Sequence, residues 1–371
     1  MSVQSPQNKP AEIIHSAEIT LRPDGTRLVS SHAGFDTIID VRSPSEFAHS
    51  HIPYAHNFPV LDDAQFRQIG TLYHEDSLRA KFLGASMACQ NIAQLLQKAT
   101  TNPTCAQILS HKRKILIYCA RGGSRSQALY EVLKNLGLQV FKLANGYKGY
   151  RASVLACLKA PHRFITLCGQ TGCGKSEIIQ ALGESSIDLE ALAHHYGSSF
   201  GSLATLKLGA QPTQKMFENL LESELTAKSA HAPLFIESES KKLGGLIVPK
   251  ELYTCYQNSP TIAITAPLED RIARITSLYR DLPESLFASA MATIKPYIST
   301  DLHTTLLTLW EKRDLAEIAS ILIQRYYDKV YKSTPCDYTI HHTDLATTLA
   351  TLKELRAHIA RKYNFLPIRQ K

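Results

Sequence analysis

Phe164-Ile-Thr-Leu-Cys168, Gly169-Gln-Thr-Gly-Cys-Gly174-Lys175-Ser176 and Glu177-Ile-Ile-Gln-Ala-Leu-Gly183 run consecutively, and their reading decides the fold. An apolar run of strand length feeds a loop of the form G-x-x-x-x-G-K-[ST], and the loop feeds a helical segment that stops at a glycine. The glycines let backbone N–H groups turn inward on phosphate oxygens, the helix that follows aims its positive end at them, and Lys175 adds a mobile charge. The expected diphosphate-binding set is Gly169, Gln170, Thr171, Gly172, Cys173, Gly174, Lys175 and Ser176. Ser176 is placed to hold Mg2+, if one is used.

Downstream, Pro233-Leu-Phe-Ile236 and Thr261-Ile-Ala-Ile-Thr265 read as further buried strands separated by helical stretches. Strand and helix in alternation imply an α/β fold, a parallel sheet with helices on both faces. From about residue 281 the chain is mostly helix-forming, with Leu, Ala and Ile at helical spacing, and is read as a helical C-terminal region. Around the loop, Asp188 and Glu190 follow a short Ser-Ser-Ile strand and are candidates for coordinating a cation or water. Ser198 and Ser199, in the Gly-Ser-Ser-Phe-Gly turn after His194 and His195, offer polar groups; a capped helix with solvated histidines is the competing reading. Glu237, Glu239, Lys241 and Lys242 lie just past a strand end, where open α/β sheets collect ligand contacts, although a solvated charge run is commoner in general. No guanine-reading NKxD occurs, so the loop speaks for diphosphate binding more than for nucleotide hydrolysis.

Toward the N-terminus, Lys114-Ile-Leu-Ile-Tyr118 reads as a strand that runs into Cys119-Ala-Arg-Gly-Gly-Ser-Arg125 and then a helix ending at Gly137. Backbone N–H groups with Arg121 and Arg125 are expected to converge on the Cys119 sulfur and lower its pKa, giving a thiolate nucleophile. The competing reading is a buried strand-end cysteine acting as a small hydrophobe. The spacing C-x5-R-S also fits a cysteine-dependent phosphatase. Thr37-Ile-Ile-Asp-Val41 is a further buried strand, and Ser43-Pro-Ser-Glu-Phe47 announces a helix. Val140-Phe-Lys-Leu-Ala144 is another strand, Asn145-Gly-Tyr-Lys-Gly-Tyr-Arg151 closes the unit, and Ser153 to Arg163 reads as a connecting segment, with the boundary near 155 to 162.

The bulk numbers agree with two domains: 371 residues exceed what one core usually organises, and 44% are apolar. The formal charge of +8 favours a polyanionic partner held through phosphate contacts. Apolar runs fall far short of the roughly 18 residues a bilayer crossing needs, and the first ten residues lack a signal-peptide core. Eight cysteines without a CxxC pair fit a reducing compartment. The expectation is a soluble cytoplasmic protein with no membrane partner.

Asp40-Val-Arg42-Ser-Pro-Ser-Glu46-Phe47, His51-Ile-Pro-Tyr-Ala-His-Asn57-Phe-Pro59, the Cys119 loop and Asn145 to Arg151 together resemble the rhodanese family's DVR, EF and HIPGAxNxP pattern. That decides against the phosphatase. The resemblance implies that Cys119 carries sulfur or selenium; one departure is a loop longer between cysteine and arginine than is usual, a wider cradle that suits selenophosphate. A rhodanese-like domain (1–155) joined to a P-loop domain (160–371) is an unusual pairing, and it resembles the tRNA 2-selenouridine synthase family. The segments that carry this likeness, within about residues 36 to 331, are 57–73, 118–129, 169–179, 188–201, 211–218 and 237–249. Ala120, Asn145 and Lys329 depart from the family's pattern without touching Cys119, Lys175 or Ser176.

What the resemblance implies is a selenotransferase that replaces the sulfur of wobble 2-thiouridine in tRNA with selenium from selenophosphate. It also implies a geranyltransferase step in which geranyl diphosphate alkylates the sulfur to make a better leaving group. Selenophosphate would come from a selenophosphate synthetase, and no tightly bound cofactor is expected. A rival is a small-molecule kinase, because Thr265-Ala-Pro-Leu-Glu-Asp-Arg271, with Arg274 and Arg280, resembles the arginine-bearing helix of nucleoside-type kinases.

Overall fold

Ile115, Leu116, Ile117 and Tyr118 have no exposed surface, and neither do Phe164, Ile165 and Leu167. Near-continuous apolar runs of this kind belong to parallel strands covered on both faces, and each run is an inner strand of its own sheet. A computed structural model describes residues 19–21, 27–29, 32–228, 232–330 and 336–363. The chain divides into two units, Met1–Cys157 and Leu158–Lys371.

In the first unit the strands are β1 (Ile19–Leu21), β2 (Arg27–Val29), β3 (Thr37–Asp40), β4 (His56–Asn57), β5 (Lys114–Tyr118) and β6 (Gln139–Leu143). Their order is β1-β2-β6-β5-β3-β4. Among the described residues of this unit only β1 and β2 pair antiparallel; β3 to β6 run parallel, with Asp40 beside Tyr118 and Ile117 beside Lys142. Between β4 and β5 lie three consecutive helices, Asp63–Glu75, Ser77–Thr101 and Pro103–Ile108, whose first turns are capped by Asp62, Asp76 and Asn102. The segment after Asn145 corrects the sequence reading. It is one helix, Gly146–Lys159, because Tyr147, Tyr150, Val154 and Leu158 recur at helical spacing and are all buried.

The second unit carries β7 (Phe164–Gly169), β8 (Ser186–Ile187), β9 (Leu234–Glu237), the hairpin β10 (Lys242–Leu243) and β11 (Leu246–Ile247), β12 (Thr261–Thr265) and β13 (Tyr338–His341). The main sheet is wholly parallel in the order β13-β12-β7-β9-β8. From β7 the chain next reaches the β8 and β9 side, and β12 and β13 fall on the other. The carboxyl end of β7 is therefore a topological switch point, where open α/β sheets leave a ligand crevice.

A second correction concerns the C-terminal region. The helices from Glu284 to Val330 lie between β12 and β13, so the helical region is interrupted by a strand of the main sheet. Tyr-Thr-Ile-His is short and alternates in burial, as an edge strand does, and no apolar run announces it. The last helix, Leu345–Lys362, packs Leu352 and Ile359 against Ile165, Ile178 and Phe235. Among the described residues no helix is long and apolar enough to cross a membrane.

Candidate functional site

Cys119 follows β5 directly, and the helix Ser124–Asn135 begins five residues later. The thiol is buried, which alone would raise its pKa. Against that, the Ser126 hydroxyl, the backbone N–H groups of Arg121 and Ser126, and the charge of Arg125 hold it below the ordinary thiol value. The Ser126 hydroxyl lies 3.3 Å from the sulfur. The loop is closed from beneath by the turn after β6: Tyr147 N donates to Cys119 O at 2.8 Å and Lys148 N to Ala120 O at 3.0 Å. Gly146 is needed there, because a Cβ would stand 2.2 Å from Cys119 O. Asn145 adopts φ +58°, a conformation asparagine tolerates better than most residues.

The two arginines of this loop act differently. Arg121 reaches the sulfur through its backbone N–H, and its side chain is exposed. Arg125 pairs with Glu46 at 2.5 Å and lies over the Phe66 ring. Asp40 and Arg42 form a buried pair with Nε contacts of 2.9 and 3.0 Å, and Arg42 also donates to Ser50 O. Asn57 Nδ2 donates to the carbonyls of Asp40 and Arg42. The Asp-Val-Arg and His-Ile-Pro segments thus frame the strand ends beside Cys119.

In the second unit the phosphate loop leaves β7 and enters the helix Lys175–Leu182. Gly172 and Gly174 take φ +80° and +94°, and Gly169 takes φ +153°. A side chain on any of the three would collide with neighbours, on Gly174 with His342 at 2.7 Å. Lys175 Nζ donates to Gly169 O at 2.6 Å and Gln170 O at 3.4 Å, resting on the loop's own carbonyls. Cys173 is buried beneath it.

Four carboxyl groups lie behind the loop. Ser176 Oγ donates to Glu190 Oε2 at 2.6 Å, and Glu190 N donates to Glu237 Oε1 at 2.9 Å. Burial first, and then the neighbouring Glu239, pushes Glu190 up to about 8. Burial also drives Glu237 well up, reinforced by Asp188 and Glu190, and Glu237 Oε2 has no hydrogen-bond partner among the described residues. Burial raises Asp188 and Glu239 as well. Asp188 caps the helix Leu189–Ala193 through Ala191 N at 2.8 Å. Glu190 therefore holds its proton readily near neutral pH, and positive charge arriving beside Ser176 would favour its release.

Other expected residues are placed less centrally. Ser198 Oγ accepts from Phe200 N at 3.2 Å, Ser199 is half-buried in the same turn, and Lys241 is exposed. His194 packs its Nδ1 against Gly209 O and Ala210 O as a helix-ending residue, and Gln211 and Gln214 bond the β10–β11 hairpin. Arg271 is a strut: Nε donates to Thr171 O at 2.9 Å while Nη2 pairs with Asp328 at 2.6 Å. Arg274, one turn on, has a buried Nη1 with no hydrogen-bond partner among the described residues and lies near Gly174. His342 was not foreseen; it follows the edge strand β13, and burial with Arg274 lowers its pKa. Its position just past a strand end was the available signal.

Among the described residues no three His, Cys, Asp or Glu side chains converge as a metal cage. Ser176 still fits the phosphate-loop mode, in which magnesium takes one or two protein oxygens plus phosphate oxygens.

Residues 28–153 match the rhodanese-like domain family, and residues 162–313 match the family described as the tRNA 2-selenouridine synthase AAA domain. The chain is 33% identical over 258 residues to the tRNA 2-selenouridine synthase of Psychromonas ingrahamii, covering 68% of each. It is 30% identical over 329 residues to that of Shewanella woodyi, covering 80% of this chain and 87% of the relative. With the Sulfurovum relative of the same name, identity is 36% over 63% of this chain and 64% of the other.

Proposed function

This chain belongs to the tRNA 2-selenouridine synthase family, and from that premise we propose that it replaces the sulfur of wobble 2-thiouridine in tRNA with selenium from selenophosphate, through a geranylated intermediate. In the first step the thiocarbonyl sulfur attacks the allylic carbon of geranyl diphosphate, and diphosphate leaves with the electron pair of the broken C–O bond. Residues 169–176 would hold that diphosphate, with inward N–H groups and Lys175 stabilising its departing charge. Magnesium, if recruited at Ser176, would supply further charge neutralisation. Alkylation turns the sulfur into a leaving group, and the Cys119 loop would serve the step in which selenium displaces it.

The observation that carries this reading is the pairing of a cysteine held below its ordinary pKa with a phosphate loop in the other unit. The net charge of +8 favours the polyanionic tRNA. The test is mass spectrometry of nucleosides from 2-thiouridine tRNA incubated with the protein, geranyl diphosphate and selenophosphate. The expected products are S-geranyl-2-thiouridine when selenophosphate is withheld and 2-selenouridine when it is present. Recovery of only 2-thiouridine from both incubations would refute the proposal.

A further inference from the structure

Beside the phosphate loop, and bordered by its Thr171, the second unit carries a partly open hollow. Its wall is aromatic and aliphatic. Phe287 and Trp310 stack with ring centroids 4.0 Å apart and planes 6° from parallel, and Phe200 lies against Phe287. On another side stands Tyr327, at the end of a single π-helical turn, Ile323–Tyr327, a distortion frequent at ligand sites. The few polar groups offer little: Thr276 Oγ1 is buried with no hydrogen-bond partner among the described residues. The Arg271 strut joins the two features, since it binds Thr171 O at one end and Asp328, the residue after the π-turn, at the other.

We propose that this hollow receives the branched apolar tail of an allylic diphosphate whose diphosphate lies on residues 169–176. The inference rests on the prenyl-donor reading above and gives the tail its site. A nucleoside in the same place would leave its donors and acceptors unpaired against this wall, at a cost that a hydrocarbon does not incur. A tail needs only removal from water, and each buried methylene is worth roughly fourfold in affinity. Anchoring the tail beside Thr171 also fixes the allylic carbon close to the diphosphate that must leave it.

Calorimetric titration of the full chain with inorganic pyrophosphate and with geranyl diphosphate tests the proposal. Wild type is expected to bind geranyl diphosphate at least about tenfold more tightly than pyrophosphate. Ala319→Leu narrows the hollow and should remove most of that preference while leaving pyrophosphate affinity unchanged, which also reports correct folding. Thr276→Val, isosteric and lacking the orphan hydroxyl, should keep or increase the preference. Equal affinity for the two ligands in wild type, or an unchanged preference in Ala319→Leu, overturns the tail site while the diphosphate reading stands. Weakened geranyl diphosphate binding in Thr276→Val would mean a polar occupant and would also overturn it. Failure of wild type to bind pyrophosphate would instead remove the reading on which the proposal rests.

Discussion

Arg125 Nη1 donates to Glu46 Oε2 at 2.5 Å, and Arg125 Nη2 reaches Glu46 Oε1 at 3.3 Å. The pair ties the helix behind the Cys119 loop to the helix Pro44–His49, so Glu46 of the Ser-Pro-Ser-Glu-Phe segment positions the loop from outside it. Burial alone would raise the Glu46 pKa, but the hydrogen bond and charge of Arg125 outweigh it and hold it below the usual carboxylate value. A depressed carboxylate contributes stability above its unfolded pKa and loses it as pH falls through the folded one. Glu46→Gln should therefore cost about 1 kcal/mol at neutral pH, a figure suited to a partly exposed pair. Thermal unfolding should show the gap from wild type closing below about pH 4; a gap that persists there would contradict the assignment.

Ser126 is the nearest side-chain donor to the Cys119 sulfur. Removing it in Ser126→Ala leaves burial, which raises the thiol pKa, less strongly opposed. The pH profile of Cys119 alkylation by iodoacetamide should move upward, by about one unit for a single lost hydrogen bond to a charged group. An unmoved profile would show that the backbone N–H groups suffice.

The proposed division of labour predicts opposite phenotypes. Cys119→Ala should abolish selenium incorporation and leave S-geranylation of 2-thiouridine tRNA measurable. Lys175→Ala should lower geranylation at least about a hundredfold, the scale of losing a charge-stabilising donor. Both are read by the same nucleoside mass spectrometry, and equal loss of both steps in folded Cys119→Ala protein would rule out separate roles.

Behind the phosphate loop the sign of the pH dependence reverses. Glu190 is pushed up to about 8, first by burial and then by Glu239. A raised carboxyl contributes its stability in full below the ordinary glutamate pKa and loses it as pH rises through the folded value. The ligand-free second unit should lose stability between about pH 5 and 8. In Glu190→Gln that decline should be much shallower, since the amide keeps one acceptor for Ser176 and carries no charge. Denaturation midpoints measured at pH 5, 7 and 8.5 decide it, and parallel curves for the two proteins would refute the account.

Local pattern made the inner strands legible, because β5, β7, β9 and β12 are largely apolar, and the phosphate loop was legible because its glycines have to sit between strand and helix. The edge strand β13 escaped, since four residues with one buried on average weakly signal any period. His342 escaped with it, and its approach to Gly174 depends on a pairing between β12 and β13, which lie some seventy residues apart in the chain. At the cysteine loop, composition suggested that two guanidinium groups gather at the sulfur. The partner of Arg125 lies 79 residues away and so was invisible in the loop itself.

Tyr54 stands where the HIPGAxNxP pattern has glycine, and the reason for that glycine is visible in the backbone. Tyr54 takes φ +65° while its side chain is 83% exposed. A non-glycine residue in this left-handed region costs roughly 1–2 kcal/mol, and an exposed ring recovers little of it by packing. Tyr54→Gly relieves the strain but gives the unfolded chain more freedom, an offset of about 0.5–1 kcal/mol. The expected net gain is about 0.5–1 kcal/mol, read as a raised denaturation midpoint with unchanged slope. Tyr54→Ala keeps the strained φ and should gain nothing. A loss of stability in Tyr54→Gly would mean that the exposed ring contributes more to the fold than its backbone costs.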